Sequence, residues 1–313
     1  MRILSVLIPV YNEETLLRSL VEKVLAAPLP EDVEREIILI DDCSTDRTPE
    51  VIRYLCDDYP RIKAFRQSKN QGKGAAIRRA IREMSGDFAI FQDADLEYDP
   101  DEYSVVLAPL LDGEADAVYG SRFARNRKWS DLLSLYTFAN YFLTWLSNRT
   151  TGFALTDMET CYKAFRSDLL KSIPLRSDRF GIEPEITAKL SWRGVEVCEV
   201  PISYRGRLYS EGKKIGWKDG VSAIWTILKY CWKDDSRRPP LPASGRIAGS
   251  EEGKQARVNS VPDSAADSAG AAGRTDKNAA AFRDSPAFSR RGDRHGDRRN
   301  GCACRQRRPG RGI

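Results

Sequence analysis

Residues 88–100 read FAIFQDADLEYDP, an apolar run of strand character that breaks into acidic side chains at positions 93, 95, 97, 99 and 101. Carboxylates this close repel one another and raise each other's pKa unless a cation or donor groups compensate. Asp93 and Asp95 come directly after the strand and fall on one side of an extended chain. Glu97 joins them if the extension continues, and such hard oxygen donors suit Mg or Mn. Asp99 and Asp101 flank Pro100 and read instead as the start of a helix. The bland alternative for the whole cluster is an acidic helix N-terminus.

Outward from this stretch the first hundred residues alternate between short apolar runs and segments of helical period. Strands are predicted at ILSVLIPV (3–10), REIILIDD (35–42), RIKAFRQ (61–67) and DFAIFQDAD (87–95), and helices over 13–27, 47–58 and 72–84. Ser44 or Asp46 is the expected N-cap of the second helix, with Pro49 in its first turn. The alternation predicts an α/β fold: a mostly parallel sheet flanked by helices. Open sheets of this kind bind ligands where strands end and loops begin. The polar clusters PVYNEE, DDCSTD, NQGKG and DADLE fall there. Asp41, with Asp42 beside it, can accept from a base N–H or from ribose hydroxyls. NQGKG lacks phosphate-loop spacing, since Gly74 stands where Ser or Thr is required. Lys73 either faces a diphosphate or base, or is a solvated lysine on a turn.

The charge balance excludes several classes. Of the net +5 carried by 313 residues, the last 78 hold 17 Lys and Arg against 8 acids, which leaves residues 1–235 four charges negative. The folded part is therefore not expected to bind nucleic acid. The single histidine, His295, lies in the tail, so a Ser-His-Asp or Cys-His mechanism is excluded from the folded part. The cysteines show no zinc-finger spacing. Residues 1–235 are expected to form one catalytic domain, and 236–313 a basic, low-complexity tail without enough apolar area to fold. No apolar stretch reaches the roughly 20 residues a membrane span needs. The segments 132–148 and 221–232 have helical spacing and either lie on a membrane surface or pack as ordinary amphipathic helices.

Taken in order, VLIPVYNEE, LIDDCSTDRT, NQGKGAAIRRAI, FQDADLEYDP, VYGSRF and TDMETCYKAFR resemble the family 2 inverting glycosyltransferases of the GT-A fold. The polyprenyl-phosphate sugar transferases, such as the dolichyl-phosphate mannose synthases, are the most similar branch. The resemblance covers residues 1–235 and implies a Rossmann-like nucleotide half joined to an acceptor half. It implies that Pro9, Tyr11, Glu13 and Asp41 hold the nucleoside, with Asp42 and Lys73 close by. Asp93 and Asp95 would bind a Mg or Mn ion on the sugar-nucleotide diphosphate, with Glu97 where the synthases often have Gln. Arg122 would face an acceptor phosphate, and Asp157, Glu159 and Lys163 would line the acceptor side. Arg205, Arg207, Lys213 and Lys214 supply a basic loop able to close over phosphates.

One departure stands out: Tyr136, Thr137 and Phe138 precede Ala139–Asn140 where those synthases often carry Ser-Arg. The expected function is transfer of a hexose from a GDP-mannose or UDP-glucose type donor to a polyprenyl phosphate. The enzyme is expected to sit peripherally on the cytoplasmic face of the membrane. An anionic acceptor needs no strong general base; a hydroxyl acceptor on a saccharide precursor would need one, with Asp157 first and Glu159 second. A nucleotide-sugar binding module without turnover, and a nucleic-acid adaptor resting on the tail alone, are the remaining readings.

Overall fold

The computed structural model describes residues 1–124, 135–206 and 217–231. Arg207, Lys213 and Lys214, the link 125–134 and the tail from 236 lie outside them. All the described residues belong to one compact unit.

The predicted strands form half of a seven-stranded sheet. Strand β1 (Arg2–Val10) pairs in parallel with β2 (Val33–Asp41) on one side and with β4 (Phe88–Phe91) on the other; β3 (Ile62–Arg66) extends the sheet beyond β2. On the far side β6 (Lys163–Arg166) runs antiparallel between β4 and β5 (Ala117–Ser121), and β7 (Val197–Pro201) lies parallel to β5. The order is β3-β2-β1-β4-β6-β5-β7. The chain first builds outward from β1 and then returns to its other side, so a topological switch point lies between β1 and β4. The motifs PVYNEE and DADLE leave the sheet at that crevice.

Burial explains why these runs become strands. Ile37–Ile40 and Phe88–Phe91 are buried on both faces of the sheet, as continuous aliphatic and aromatic runs require. Helix α1 (Leu17–Ala26) turns Leu17, Leu20, Val21 and Val24 to the core, and α3 (Lys73–Glu83) turns Ala76, Ile77, Ala80 and Ile81. Each of the buried Leu, Val and Ile side chains contributes about 1.5–3 kcal/mol through burial. At the end of the sheet away from the crevice, Glu36 accepts from Ser5 Oγ at 2.6 Å, Lys63 Nζ at 2.8 Å and Ser85 N at 2.6 Å. Burial pushes this carboxyl up, but those donors outweigh it and hold it down at about 2.

Three local expectations shift. Helix α1 begins at Leu17 rather than Glu13, because Asn12 takes a left-handed turn (φ 51) and the Glu13 N–H goes to Thr48 Oγ1 at 2.9 Å. Ser44 does not cap α2 (Thr48–Asp58): its hydroxyl accepts from Asn12 N, while Asp46 Oδ1 takes Thr48 N at 3.0 Å. Strand β4 stops at Phe91, and the chain turns at once, with Leu96 at φ 59. Asp93 and Asp95 therefore sit on a turn, not on an extended strand. Asp99 does cap a single 3-10 turn, Pro100–Glu102, that leads into α4 (Tyr103–Leu111).

Candidate active site

The Asp93 turn is held from behind by a buried tyrosine knot. Gln92 accepts from both Tyr103 Oη and Tyr162 Oη at 2.7 Å and returns its amide to Asp93 O at 3.1 Å. Tyr98 stacks on Tyr162 with ring centroids 4.7 Å apart, and its hydroxyl accepts from Cys161 N at 3.0 Å. The turn is thus fixed to the segment 157–163. Gln92, Tyr98, Tyr103 and Tyr162 were not singled out from the sequence.

On the nucleotide side, Pro9 and Tyr11 are half-buried at the end of β1 and Glu13 is buried. Asp41 Oδ1 accepts from Ser44 N at 2.8 Å. Its Oδ2 is buried, makes no hydrogen bond and has only Arg66 Nε at 3.3 Å. An acceptor in that state fits a ligand N–H or hydroxyl. Asp42 is different: its carboxylate takes Gln67 Nε2 at 2.7 Å, Gln71 N at 2.8 Å and Gly72 N at 2.6 Å. It clamps the NQGKG loop, with both carboxylate oxygens taken by that loop and Gln67.

Gly72 sits at φ 98, and a Cβ there would meet Asp178 O at 2.6 Å, so this loop is glycine because the segment 177–179 crosses it. Beside it opens a cavity of about 510 Å³ lined by Lys69, Gln71, Arg179, Ser222 and Thr226 among others. None of the predicted site residues lines that cavity.

Lys73, at the start of α3, lies 2.8 Å from Asp93 Oδ1 and 3.1 Å from Glu183 Oε1. Glu183 opens helix α7 (Ile182–Arg193) and also meets Lys163 Nζ at 3.2 Å. Lys163 is 0% exposed and donates to Met158 O at 2.9 Å and to Thr160 O. It cannot reach an acceptor, so its expected acceptor role is corrected: it braces the segment 158–163. Glu97 also departs from expectation. The turn carries it away to Tyr204 Oη at 2.6 Å, and its carbonyl takes Arg205 N at 2.9 Å. Arg205 itself is exposed.

Among the described residues no three His, Cys, Asp or Glu side chains form a group able to hold a metal ion. Asp93 and Asp95 remain, both partly accessible, two hard-oxygen carboxylates at the crevice. This donor set fits a Mg-type ion that takes most of its ligands from bound phosphates, as such ions commonly do.

On the acceptor side, Arg122 and Asp157 form a two-pronged pair: Nε to Oδ2 at 2.6 Å and Nη2 to Oδ1 at 2.7 Å, with the Arg122 N–H adding 3.0 Å. Asp157 is buried and both its oxygens are taken, so it is placed as the partner of Arg122 and not as a base open to an acceptor. The guanidinium lies over the Tyr204 ring at 5.1 Å. Glu199 on β7 takes the Thr156 and Asp157 N–H groups at 2.8 and 3.0 Å. Burial nonetheless pushes the Glu199 carboxyl up to about 7. Glu159 is likewise raised to about 7, by burial and then by the nearby Glu183 charge, against the pull of Lys163 and Arg122. Its Oε1 is buried without a hydrogen-bond partner.

A mostly parallel sheet with paired aspartates at its switch point is the α/β architecture that binds ligands in the crevice where the strand order reverses. The chain matches the pattern of Glycosyl transferase family 2 over residues 5–173 and belongs to that family.

It is 30% identical over 210 residues to an undecaprenyl-phosphate 4-deoxy-4-formamido-L-arabinose transferase of Edwardsiella ictaluri, covering 67% of this chain and 62% of that one. It is 29% identical over 232 residues to a dolichol-phosphate mannosyltransferase of Pyrococcus furiosus, covering 73% and 62%. The chain thus spans less than two thirds of the length of these relatives. Among solved structures, glucosyl-3-phosphoglycerate synthase from Mycobacterium tuberculosis with UDP superposes with a TM-score of 0.57 at 23% identity, over 74% of this chain and 80% of that one. The same enzyme with Mn2+, UDP and phosphoglyceric acid gives 0.58. The sheet and its helices are GT-A-like.

Proposed function

We propose that this chain is an inverting glycosyltransferase that moves a hexose from a nucleotide sugar, of GDP-mannose or UDP-glucose type, to a polyprenyl phosphate at the cytoplasmic face of a membrane. The observation that carries the reading is the Asp93–Asp95 turn at the switch point, in a sheet that also carries the Arg122–Asp157 pair just beyond β5. The polyprenyl-phosphate transferases among the relatives support the acceptor class.

In this reading Pro9, Tyr11, Glu13 and Asp41 hold the nucleoside, while Asp42 fixes the loop that carries Lys73. Asp93 and Asp95 hold a Mg or Mn ion, which when bound supplies Lewis-acid stabilisation of the departing diphosphate. Arg122, oriented by Asp157 and walled by Tyr204, is the cation on the acceptor side. Arg205, with Arg207 and Lys213 after it in the sequence, would add positive charge for the acceptor phosphate. An acceptor phosphate is already anionic and attacks the anomeric carbon in line, opposite the leaving group, which inverts configuration.

Contact with the lipid phase fits helices α5 (Leu135–Thr151) and α8 (Trp217–Cys231). Among the described residues no helix is long and apolar enough to cross a membrane. Yet α5 exposes Phe138, Phe142 and Trp145, and α8 exposes Val221, Trp225 and Leu228. Both stripes follow the spacing of one helix face, which suits an interfacial helix. A second reading, transfer to a hydroxyl, is favoured by one observation: Glu159 combines an unpartnered oxygen with a pKa of about 7, the properties of a general base.

The deciding experiment offers radiolabelled nucleotide sugars and a polyprenyl phosphate in the presence of Mn. A lipid product split by mild acid is the expected glycosyl phosphate. An acid-resistant glycoside would move the assignment to a hydroxyl acceptor, and donor binding without any product to a binding module.

A further inference from the structure

We propose that Glu183 is a positioning residue of the candidate cation site, receiving the Lys73 ammonium when Asp93 gives its carboxylate to a divalent ion. The inference rests on the reading of Asp93 and Asp95 as ligands of an ion on a nucleoside diphosphate.

Four charges alternate through the centre of the molecule. Asp93 meets Lys73 at 2.8 Å, Lys73 meets Glu183 at 3.1 Å, and Glu183 meets Lys163 at 3.2 Å. Their surroundings differ sharply. Lys163 is fully buried, bound to Met158 O and Thr160 O, and lies 4.7 Å from the centre of the Tyr119 ring. Glu183 is almost fully buried, and one of its oxygens is committed to that fixed lysine. Lys73, by contrast, is paired with the Asp93 and Glu183 carboxylates rather than tied to backbone carbonyls, and its side chain is 13% exposed.

As the structure stands, the Lys73 ammonium sits against Asp93, where a cation would compete with it. A divalent ion on Asp93 and an ammonium beside it repel, so the lysine has to move toward another anion. Glu183 Oε1 is that anion. It is buried and makes no well-aligned hydrogen bond, although Lys73 lies within ion-pair distance. An unsatisfied buried carboxylate oxygen is costly, and drawing Lys73 closer satisfies it. The third group facing Lys73 is the buried Cys161 thiol, which cannot neutralise it. Glu183 therefore lowers the cost of loading Asp93 without touching the ion. Its other oxygen, through Lys163, ties the same event to the acceptor segment 158–163.

The test is a thermodynamic cycle on the full chain. Mn2+ binding is followed by electron paramagnetic resonance at saturating UDP, and again with GDP, for wild type, Glu183→Gln, Lys73→Met and the double variant. Glu183→Gln is expected to weaken Mn2+ binding about tenfold, since the displaced ammonium has lost its anion. Lys73→Met is expected to bind Mn2+ at least as tightly as wild type. In the Lys73→Met background, Glu183→Gln is expected to have almost no further effect, because nothing remains to be relocated.

An equal loss with and without Lys73, or no loss in either, overturns the proposal. Should Glu183→Gln fail to fold by circular dichroism, Glu183→Asp, with its shorter reach, is read through the same cycle. If the wild-type chain binds no Mn2+ with either nucleotide, the cation reading itself fails and this inference with it.

Discussion

Replacing Asp157 by Ala separates a structural carboxylate from a catalytic one. In wild type the Asp157 carboxylate takes Arg122 Nε at 2.6 Å, Nη2 at 2.7 Å and the Arg122 N–H at 3.0 Å, with Asp157 0% exposed. Removing one member of a buried ion pair typically costs about 3–5 kcal/mol, because the other charge is left uncompensated. Arg122 keeps some water and the Tyr204 and Phe123 rings, so the lower end, about 3 kcal/mol, is expected here. For a domain of this size, with about 2–4 °C lost per kcal/mol, the melting temperature should fall by roughly 6–12 °C. Urea unfolding measures the free energy directly. Asp157→Asn keeps one acceptor for the guanidinium and should lose less. The Arg122→Ala/Asp157→Ala double variant should cost little more than the worse single one, since the pair acts as a unit. The reasoning is refuted if Asp157→Ala unfolds within about 1 kcal/mol of wild type while transfer is abolished. Asp157 would then be a reactive base despite its bonds.

Two further outcomes follow from the same geometry. Glu159 and Glu199 both hold protons up to a pH of about 7 in the folded chain, whereas the unfolded chain releases them in the ordinary carboxylate range. The folded state therefore binds more protons between those limits. Stability is greatest below the unfolded pKa and falls as pH rises through about 7, by up to roughly 1.4 kcal/mol per pH unit for each group. Glu159→Gln should flatten that slope by one group's share in urea titrations between pH 5 and 8; an unchanged slope would show that Glu159 does not retain its proton. Glu36, depressed to about 2, acts in the opposite sense, its contribution being lost only as pH falls from the ordinary carboxylate range through about 2. On the lipid side, Trp145 and Trp225 are 59% and 68% exposed, and a large apolar side chain gains about 1.5–3 kcal/mol on burial. Trp145→Ser and Trp225→Ser should each weaken co-sedimentation with anionic vesicles about tenfold or more, while activity on a short-chain, water-soluble acceptor is retained. Undiminished vesicle binding by the double variant would rule out this face as the membrane contact.

The parallel half of the sheet was legible because buried parallel strands are written as unbroken apolar runs, as in Ile37–Ile40. The DAD motif was legible as chemistry but not as geometry. Nothing in the pattern of FQDADLE announces that Leu96 adopts a left-handed φ of 59 and takes Glu97 out of line with Asp93. That outcome is set by long-range pairing, since Glu97 is held by Tyr204 and its carbonyl by Arg205, more than a hundred residues downstream. Lys163 misled for the same reason. A charged residue beside a motif reads identically whether it meets a ligand or braces the chain, and only its partners separate the two. Glu183 was missed altogether. The available signal was two acids in the first turn of an otherwise buried helix, ordinarily read as complementing the helix dipole.

The concentration of acid after β4 resolves into separate electrostatic solutions rather than one. Asp99 is satisfied by a backbone N–H and Glu97 by a tyrosine hydroxyl. Asp93 is compensated by the Lys73 ammonium, which it shares with Glu183. Across the crevice Asp157 is compensated by Arg122, and Glu159 by keeping its proton to about 7. In the reading above the site admits a diphosphate and an anionic acceptor, and it cannot leave all these carboxylates charged and uncompensated. Fixed partners serve the residues that only shape the pocket. In the proposal above an exchangeable partner serves Asp93, which together with Asp95 would take the ion when the donor arrives, and this shared lysine distinguishes Asp93 from Asp99 and Glu97 more firmly than the spacing of the motif does.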